Sequence, residues 1–302
     1  MPLRSAQVCT AVNAKPLTWT VRVLWILLPL TLGGLLGDAA ATGDGATAQT
    51  AVAWAVWAIG LFASFVQLPA ALVLLRVVVP LPLVGGVVAA FTETPEPLGW
   101  AGLANAAAVA VVAMSAVVGG DFINGSSYGD EHRMSLRMPT ALLLGPIEAV
   151  WFCTSVPLPL AMSVLGRGQW VGGGVLLVVG AVLAFAGFKA LSRLARRWVV
   201  LVPAGLTIVD PMALAEPVLL KRTAIGRLGP APVDTDAMDL TIGAGGLIIQ
   251  ADLNEPVELV RAVTRRAGVG TAVETNSILV APTRPGELLA LAEERRIAVD
   301  RT

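Results

Sequence analysis

Six runs of apolar residues leave this chain few ways to fold outside a bilayer. They are VRVLWILLPLTLGGLLG (21–37), TAVAWAVWAIGLFASFVQL (50–68), ALVLLRVVVPLPLVGGVVAAF (71–91), PLGWAGLANAAAVAVVAMSAVV (97–118), PTALLLGPIEAVWFCTSVPLPLAMSVL (139–165) and VGGGVLLVVGAVLAFAGFKAL (171–191). A helix needs about 20 apolar residues to cross the hydrocarbon core, so each run is a span. Hydrophobic residues make up 56% of the 302 and charged residues 14%. A soluble domain carries about a quarter charged residues, and the deficit is uneven. Residues 1–190 hold eight Lys/Arg and eight Asp/Glu, whereas 191–302 hold thirteen of each. The reading is a cytoplasmic segment (1–20), a six-helix membrane domain (21–191) and a polar domain (192–302) with enough residues for a core of its own. The first run is followed by further spans, so it reads as an uncleaved helix and not a signal peptide.

Charges in the connections set the orientation, since Lys and Arg collect on the cytoplasmic side. Arg4, Lys15 and Arg22 precede or open the first run, and Arg76 lies just inside the third. His132, Arg133 and Arg137 precede the fifth, and Lys189, Arg193, Arg196 and Arg197 close or follow the sixth. The alternate connections carry Asp38, Asp44, Glu93, Glu96 and the lone Arg167. Six spans put nearly all the basic groups on one side, with both termini in the cytoplasm.

Small residues at 33–37, 103–110 and 171–175 suit close helix packing, where lipid offers no hydrophobic drive. Prolines 80, 82, 146, 157 and 159 open helix bonds and predict kinks. Three polar side chains form a candidate intramembrane site: Arg76, Asn105 and Glu148. Arg76 either snorkels to the inner interface or joins an internal pair. Glu148 falls about ten residues into the fifth run, near the midplane, where a lone carboxylate is costly and points to function. It is expected to be protonated, to pair with Asn105, or to face a cavity.

The fourth and fifth runs are joined by a cytoplasmic loop, 119–138, containing FINGSSYGDEHRMSLRMP. It holds the only tyrosine and the only histidine of the chain, and Tyr128, Asp130, Glu131, His132, Arg133 and Arg137 form a candidate loop site. Acids and a base sit together, but no nucleophilic triad or second histidine accompanies them. Asp121, Asp130 and Glu131 make a weak carboxylate set for Mg²⁺ without phosphate-binding context. The loop is expected to be a structured interfacial connection or a docking element for an anion or for the polar domain.

From Trp198 the pattern becomes that of strands. WVVLVPAGLTIVDP (198–211) reads as two strands about a turn at Pro203–Gly205. EPVLLKRTAIGRLGPA (216–231) reads as a third strand with a bend, and MDLTIGAGGLIIQADL (238–253) as two more joined through Gly243–Gly246. Val257–Val263 and SILVAP (277–282) are further strands, before a helix in TRPGELLALAEERRI (283–297). Five to seven small antiparallel strands capped by one C-terminal helix resemble the pleckstrin-homology-like domains that bacteria attach to membrane spans. The residues carrying the resemblance are WVVLVPAGLTIVDP, the 217–220 run and SILVAPTRPGELLALAEERR, over roughly 198–297. The whole architecture resembles polytopic membrane proteins of high-GC bacteria. The resemblance implies an α+β domain that binds partners, oligomerises or meets lipid headgroups.

Anionic headgroups are recognised by juxtamembrane basic clusters, and Arg193, Arg196 and Arg197, with Lys221 and Arg222, are the candidate lipid or partner contacts. Arg227 extends that second patch, and Arg261, Arg265 and Arg266 read as a solvated surface. A net charge of zero gives no reason to expect a nucleic-acid partner. Cys9 and Cys153 lie too far apart in sequence to suggest a metal site or a disulfide framework. The glycine-rich pieces GGLLGDAAATGDG and TIGAGG lack both the phosphate-loop ending and the dinucleotide fingerprint. No catalytic residue, cofactor or metal is assigned. Two readings remain: a non-enzymatic membrane protein whose cytoplasmic domain binds a protein or the membrane surface, and a small-solute transporter or membrane-embedded enzyme using Glu148, Arg76 and the 121–137 loop.

Overall fold

The computed structural model describes residues 14–41, 45–262 and 272–301. Arg4, Cys9, Asp44, Val263, Arg265 and Arg266, which figured in the sequence reading, lie outside the described residues. The chain divides into two folded units. One comprises Ala14–Ser126 and Ala141–Ala195, and the other joins Ser127–Thr140 to the residues from 196 onward.

The first unit is helical: α1 (Ala14–Thr31), α2 (Gly33–Ala41), α3 (Ala46–Phe65), α4 (Pro69–Val78), α5 (Pro80–Thr92), α6 (Pro97–Met114) and α7 (Ala116–Asn124). The single turn α8 (Thr140–Leu143) leads on to α9 (Pro146–Ser155), α10 (Pro157–Gly166) and α11 (Trp170–Ala195). Joined across their short breaks, these form six stretches long and apolar enough to cross a membrane: Lys15–Ala41, Ala46–Phe65, Pro69–Thr92, Pro97–Met114, Pro146–Gly166 and Trp170–Ala195. Proline opens α4, α5, α6, α9 and α10, the position where its missing N–H costs nothing. Backbone carbonyls around such breaks need new donors in an apolar medium. The Val77 carbonyl, just before the α4–α5 break, accepts from the Trp151 indole at 3.0 Å. Trp25 and Trp57 each donate their indole N–H to the other's carbonyl, at 2.8 and 3.0 Å, tying α1 to α3. Where α6 crosses α1, a Cβ on Gly102 would lie 2.5 Å from the Thr31 oxygen, so the close approach requires glycine. Large apolar side chains, among them Phe91, Val111 and Phe185, point outward, as lipid-facing residues do.

The second unit is α+β. Strands β1 (His132–Ser135), β2 (Trp198–Val202), β3 (Gly205–Val209) and β4 (Val218–Lys221) form one antiparallel sheet in that order. Strands β5 (Ile225–Pro230), β6 (Met238–Asp239), β7 (Ile249–Val260) and β8 (Ala272–Val280) form a second in the order β5-β7-β8-β6. Helix α12 (Pro285–Glu294) closes the chain. Leu201, Leu206, Ile208, Ile249, Ile278 and Leu288 are fully buried and share one core drawn from both sheets and the helix. Truncating any one to alanine removes about 2–5 kcal/mol.

Three strand expectations change. The run 216–231 is two strands in different sheets, because a turn at Arg222–Ala224 reverses the chain between them. In 238–253 the first strand keeps only two residues and pairs parallel to β8. The second continues through 257 as one strand, with a shift in pairing between Asp252 and Val257.

Candidate functional site

The segment 127–140 is where the sequence concentrated its chemistry, and it is part of a sheet. Met134 faces the core at 1% exposure, and the alternation of β1 follows from that one apolar residue among polar neighbours. His132 pairs with Leu201, Arg133 with Val200, Met134 with Val199 and Ser135 with Trp198. Beyond β1 the backbone is stitched to the end of β8: Thr283 donates to the Ser135 carbonyl at 2.9 Å and Arg137 to the Ala281 carbonyl at 2.7 Å. The connection expected as a loop over 119–138 therefore begins as the end of α7, and its residues His132–Ser135 are an edge strand of the α+β unit.

Its histidine and arginines are engaged in the same attachment. His132 Nε2 lies 3.5 Å from Glu287 Oε1 on α12, whose other oxygen meets Arg284 at 2.7 Å. The contact with His132, helped by the charge of Arg284 and opposed by burial, holds the Glu287 carboxyl below the usual carboxylate range. Arg133 reaches Glu131 at 3.0 Å and stands 5.9 Å over the Trp198 ring. The Asp130 carbonyl accepts from Arg295. Arg137 donates to the Pro282 and Gly245 carbonyls, both at 3.2 Å. Tyr128 is 88% exposed. His132, Arg133 and Arg137 thus serve to hold the strand, while Glu131 pairs locally with Arg133.

Arg197 corrects the expectation of a lipid or partner contact. It is buried, and its guanidinium grips Asp210 through Nε and Nη2 at 2.8–2.9 Å while donating to the Arg137 carbonyl at 3.1 Å. Trp198 pairs with Val209, so the residues one step outward, 197 and 210, face each other across the hairpin. Asp210 also caps its own turn by accepting from Met212 N–H. Arg193 and Arg196 are exposed, as are Lys221 and Arg222 at the β4–β5 turn.

The three intramembrane candidates do not come together. Helix α6 ends at Met114 and α7 restarts after an extended Ser115, whose hydroxyl accepts from Val118 N–H. Arg76 supplies donors to this break: Nε reaches the Ala113 carbonyl at 3.2 Å, and Nη2 the Met114 and Ser115 carbonyls at 3.4 and 3.0 Å. A Cβ on Gly119 would stand 2.9 Å from Nη2, so glycine there admits the guanidinium. Asn105 donates to the Leu24 carbonyl and to Thr31 Oγ1. Glu148 is exposed in the first turn of α9 and accepts from Gly145 N–H at 2.9 Å. The expected midplane position fails because Gly145, at φ 116°, and Pro146 start the helix seven residues later than 139.

Asp121, weighed in the sequence only as part of a weak carboxylate set for Mg²⁺, instead accepts from Thr18 at 2.6 Å and Gln67 at 3.2 Å. It ties α7 to α1 and to the link between α3 and α4, and only spatial proximity, not spacing, reveals these partners.

No family model matches the chain, and no curated protein or solved structure shows significant similarity to it. Geometry alone carries the functional argument. Among the described residues no group of three or more His, Cys, Asp or Glu is placed to hold a metal. The helical unit contains a cleft of about 380 Å³ between α3, α4, α9, α10 and α11, lined by apolar groups such as Ile59, Val78, Leu158 and Phe188. Its two hydroxyl residues, Thr154 and Ser155, donate to their own helix, at the Val150 and Trp151 carbonyls.

Proposed function

We propose that this chain is a non-enzymatic multi-pass membrane protein whose α+β domain is an interaction module on the cytoplasmic face. The observation that carries the reading is the fate of 127–140: the base and both cations there, His132, Arg133 and Arg137, are turned to contacts with α12, Trp198 of β2 and the carbonyls of Pro282 and Gly245. Two sheets closed by a C-terminal helix suit a pleckstrin-homology-like identity, although the parallel β6–β8 pair departs from it. The orientation draws support from the shared sheet. Because β1 pairs with β2, the fourth connection and the C-terminal part lie on one side, as the two intervening spans require. The basic connections then favour the cytoplasm. The alternative, a transporter or membrane enzyme using Glu148, Arg76 and the 121–137 loop, calls for a polar cavity enclosing Glu148 and Arg76, whose partners are separate.

The test is affinity purification of the full chain from native membranes in mild detergent, beside a variant carrying Lys221→Glu and Arg222→Glu and another carrying Glu148→Gln. A protein recovered with the wild type and with Glu148→Gln but lost from the charge-reversed variant supports the reading. Solute uptake by the purified chain in vesicles, abolished by Glu148→Gln, would overturn it.

A further inference from the structure

The cleft of the helical unit lies where two helix breaks meet. The third and fifth apolar stretches, Pro69–Thr92 and Pro146–Gly166, are each interrupted by a proline that opens a new helix. These are Pro80 at α5 and Pro157 at α10, whose rings cannot continue the preceding turn. The two stretches run in the same direction, being two crossings apart. Val79 is as far from Pro69 as Val156 is from Pro146, so both breaks fall at one depth. The Trp151 indole on the Val77 carbonyl joins α9 to α4 beside them. The cleft is lined from both sides of each break, by Val78 and Leu81 and by Ser155 and Leu158. Close helix packing sets the ridges of one surface into the grooves of the next, and two interruptions at one level leave a gap. All of these elements belong to the helical unit.

The walls offer nothing to a polar ligand. No charged or titratable side chain is among the residues lining the cleft. Its hydroxyls, on Thr154 and Ser155, are buried and donate within α9, and Trp151 occupies the Val77 carbonyl. An apolar space of this kind stays dry. Its mouth is open, with Ile59 and Met162 at 43% and 46% exposure while Val78 and Ser155 are buried. Alternating crossings put Phe65, Pro69, Pro146 and Ala195 on one side of the bundle. Counted from those ends, the lining residues lie roughly 8–24 Å in, at 1.5 Å per residue. The hydrocarbon core is about 30 Å thick, so the mouth opens on acyl chains and not on headgroups or water. A dry apolar cavity of about 150 Å³ takes a benzene-sized group. The volume of about 380 Å³ here therefore takes on the order of a dozen carbons, most of one acyl chain.

We propose that the cleft is a binding site for one acyl chain of a membrane phospholipid, which enters between Ile59 and Met162 and lies against the two proline breaks. The inference rests on the membrane-spanning part of the reading above and not on the interaction module. A helix of a second copy, about 10–12 Å across with its side chains, is too wide for the space. The bound chain supplies the van der Waals contacts that the interrupted helices do not make to each other.

The test places the full chain in nanodiscs containing a phosphatidylcholine with a diazirine at the middle of one acyl chain, and maps adducts by mass spectrometry after illumination. Phe185, 73% exposed and as far from Ala195 as the breaks are from Pro69 and Pro146, reports ordinary bilayer contact. Adducts are expected at Val78, Leu81 and Leu158 as well as at Phe185. Those in the cleft should be lost on Ala184→Phe, which fills it, and on Met162→Trp, which narrows its mouth at an exposed position. Labelling of Phe185 should persist in both variants. Cleft adducts that survive both substitutions would overturn the inference, because passing lipid would then label the surface without a site. Labelling at Phe185 with none in the cleft would also overturn it and leave the membrane spans standing. No labelling at either place would remove the membrane-spanning reading as well. Preferential capture of a diazirine-bearing free fatty acid in place of the phosphatidylcholine would overturn phospholipid as the occupant.

Discussion

The half-buried Arg76 of the helical unit and the buried Arg197 of the α+β unit are satisfied differently. In the helical unit Arg76 donates to three successive backbone carbonyls at the α6–α7 break. In the α+β unit Arg197 grips the carboxylate of Asp210 at full burial. An apolar bundle with a broken helix has orphan carbonyls to cap and few charges to spare, and burying a second charge beside Arg76 would add desolvation cost. A two-sheet core satisfies many of its carbonyls in ladders, and the buried guanidinium there takes an ion partner, which the hairpin delivers by register, beside one backbone carbonyl. The lesson is that a buried arginine reports the local deficit, whether of donors or of counter-charge, before it reports a function.

The largest expected effect breaks the second arrangement. Asp210→Ala leaves a buried unpaired guanidinium and should destabilise the α+β unit by about 3–5 kcal/mol, read by pulse proteolysis of the detergent-solubilised chain across a denaturant series. The double change Arg197→Met with Asp210→Leu should cost clearly less. Equal losses would mean the pair acts through something other than compensated charge. Arg76→Leu should loosen the helical unit by about 2–3 kcal/mol, the order expected for leaving buried carbonyls without donors. Unfolding in SDS would measure it, and Gly119→Ala should reproduce part of the loss by displacing the guanidinium.

A smaller effect separates strand attachment from core packing. Glu287 has its pKa lowered on folding, mainly by His132. Its contribution is therefore complete above the unfolded carboxylate value and disappears as pH falls through the folded one. His132→Ala should bring the folded carboxyl value back toward the unfolded one and so shrink that acid loss, seen as a shallower fall in the Tm of the α+β unit with acidification. An unchanged acid profile would detach His132 from the holding of α12. The smallest effect belongs to Glu148→Gln, which retains an acceptor for Gly145 N–H and should alter bundle stability by no more than about 1 kcal/mol. Thermal unfolding in detergent would register a larger change.

The six spans were legible because about 20 consecutive apolar residues have few alternatives. The β2–β3 hairpin was equally legible from Pro203–Gly205 and its flanking alternation. That turn even carried the signal for the Arg197–Asp210 pair, since pairing Val202 with Gly205 sets 197 opposite 210. What stayed hidden depended on distant partners. Four residues, HRMS, with one buried side chain make too short a run to announce a strand, and β1 exists because β2 offers an edge across more than sixty residues of chain. The site expected around Arg76 and Glu148 dissolved for a related reason: helix breaks at Ser115 and Gly145 changed what each side chain faces. Composition located the polar groups, and backbone interruptions decided their use.

The central claim is that 127–140 belongs to the α+β unit as a strand and not to a free connection carrying an active site. Amide hydrogen exchange on the full chain in nanodiscs measures this directly. The amides of Met134, Leu136 and Arg137 are expected to be protected alongside those of β2 and β3. Exchange of 132–137 at the rate of unstructured chain, with β2 and β3 still protected, would contradict it.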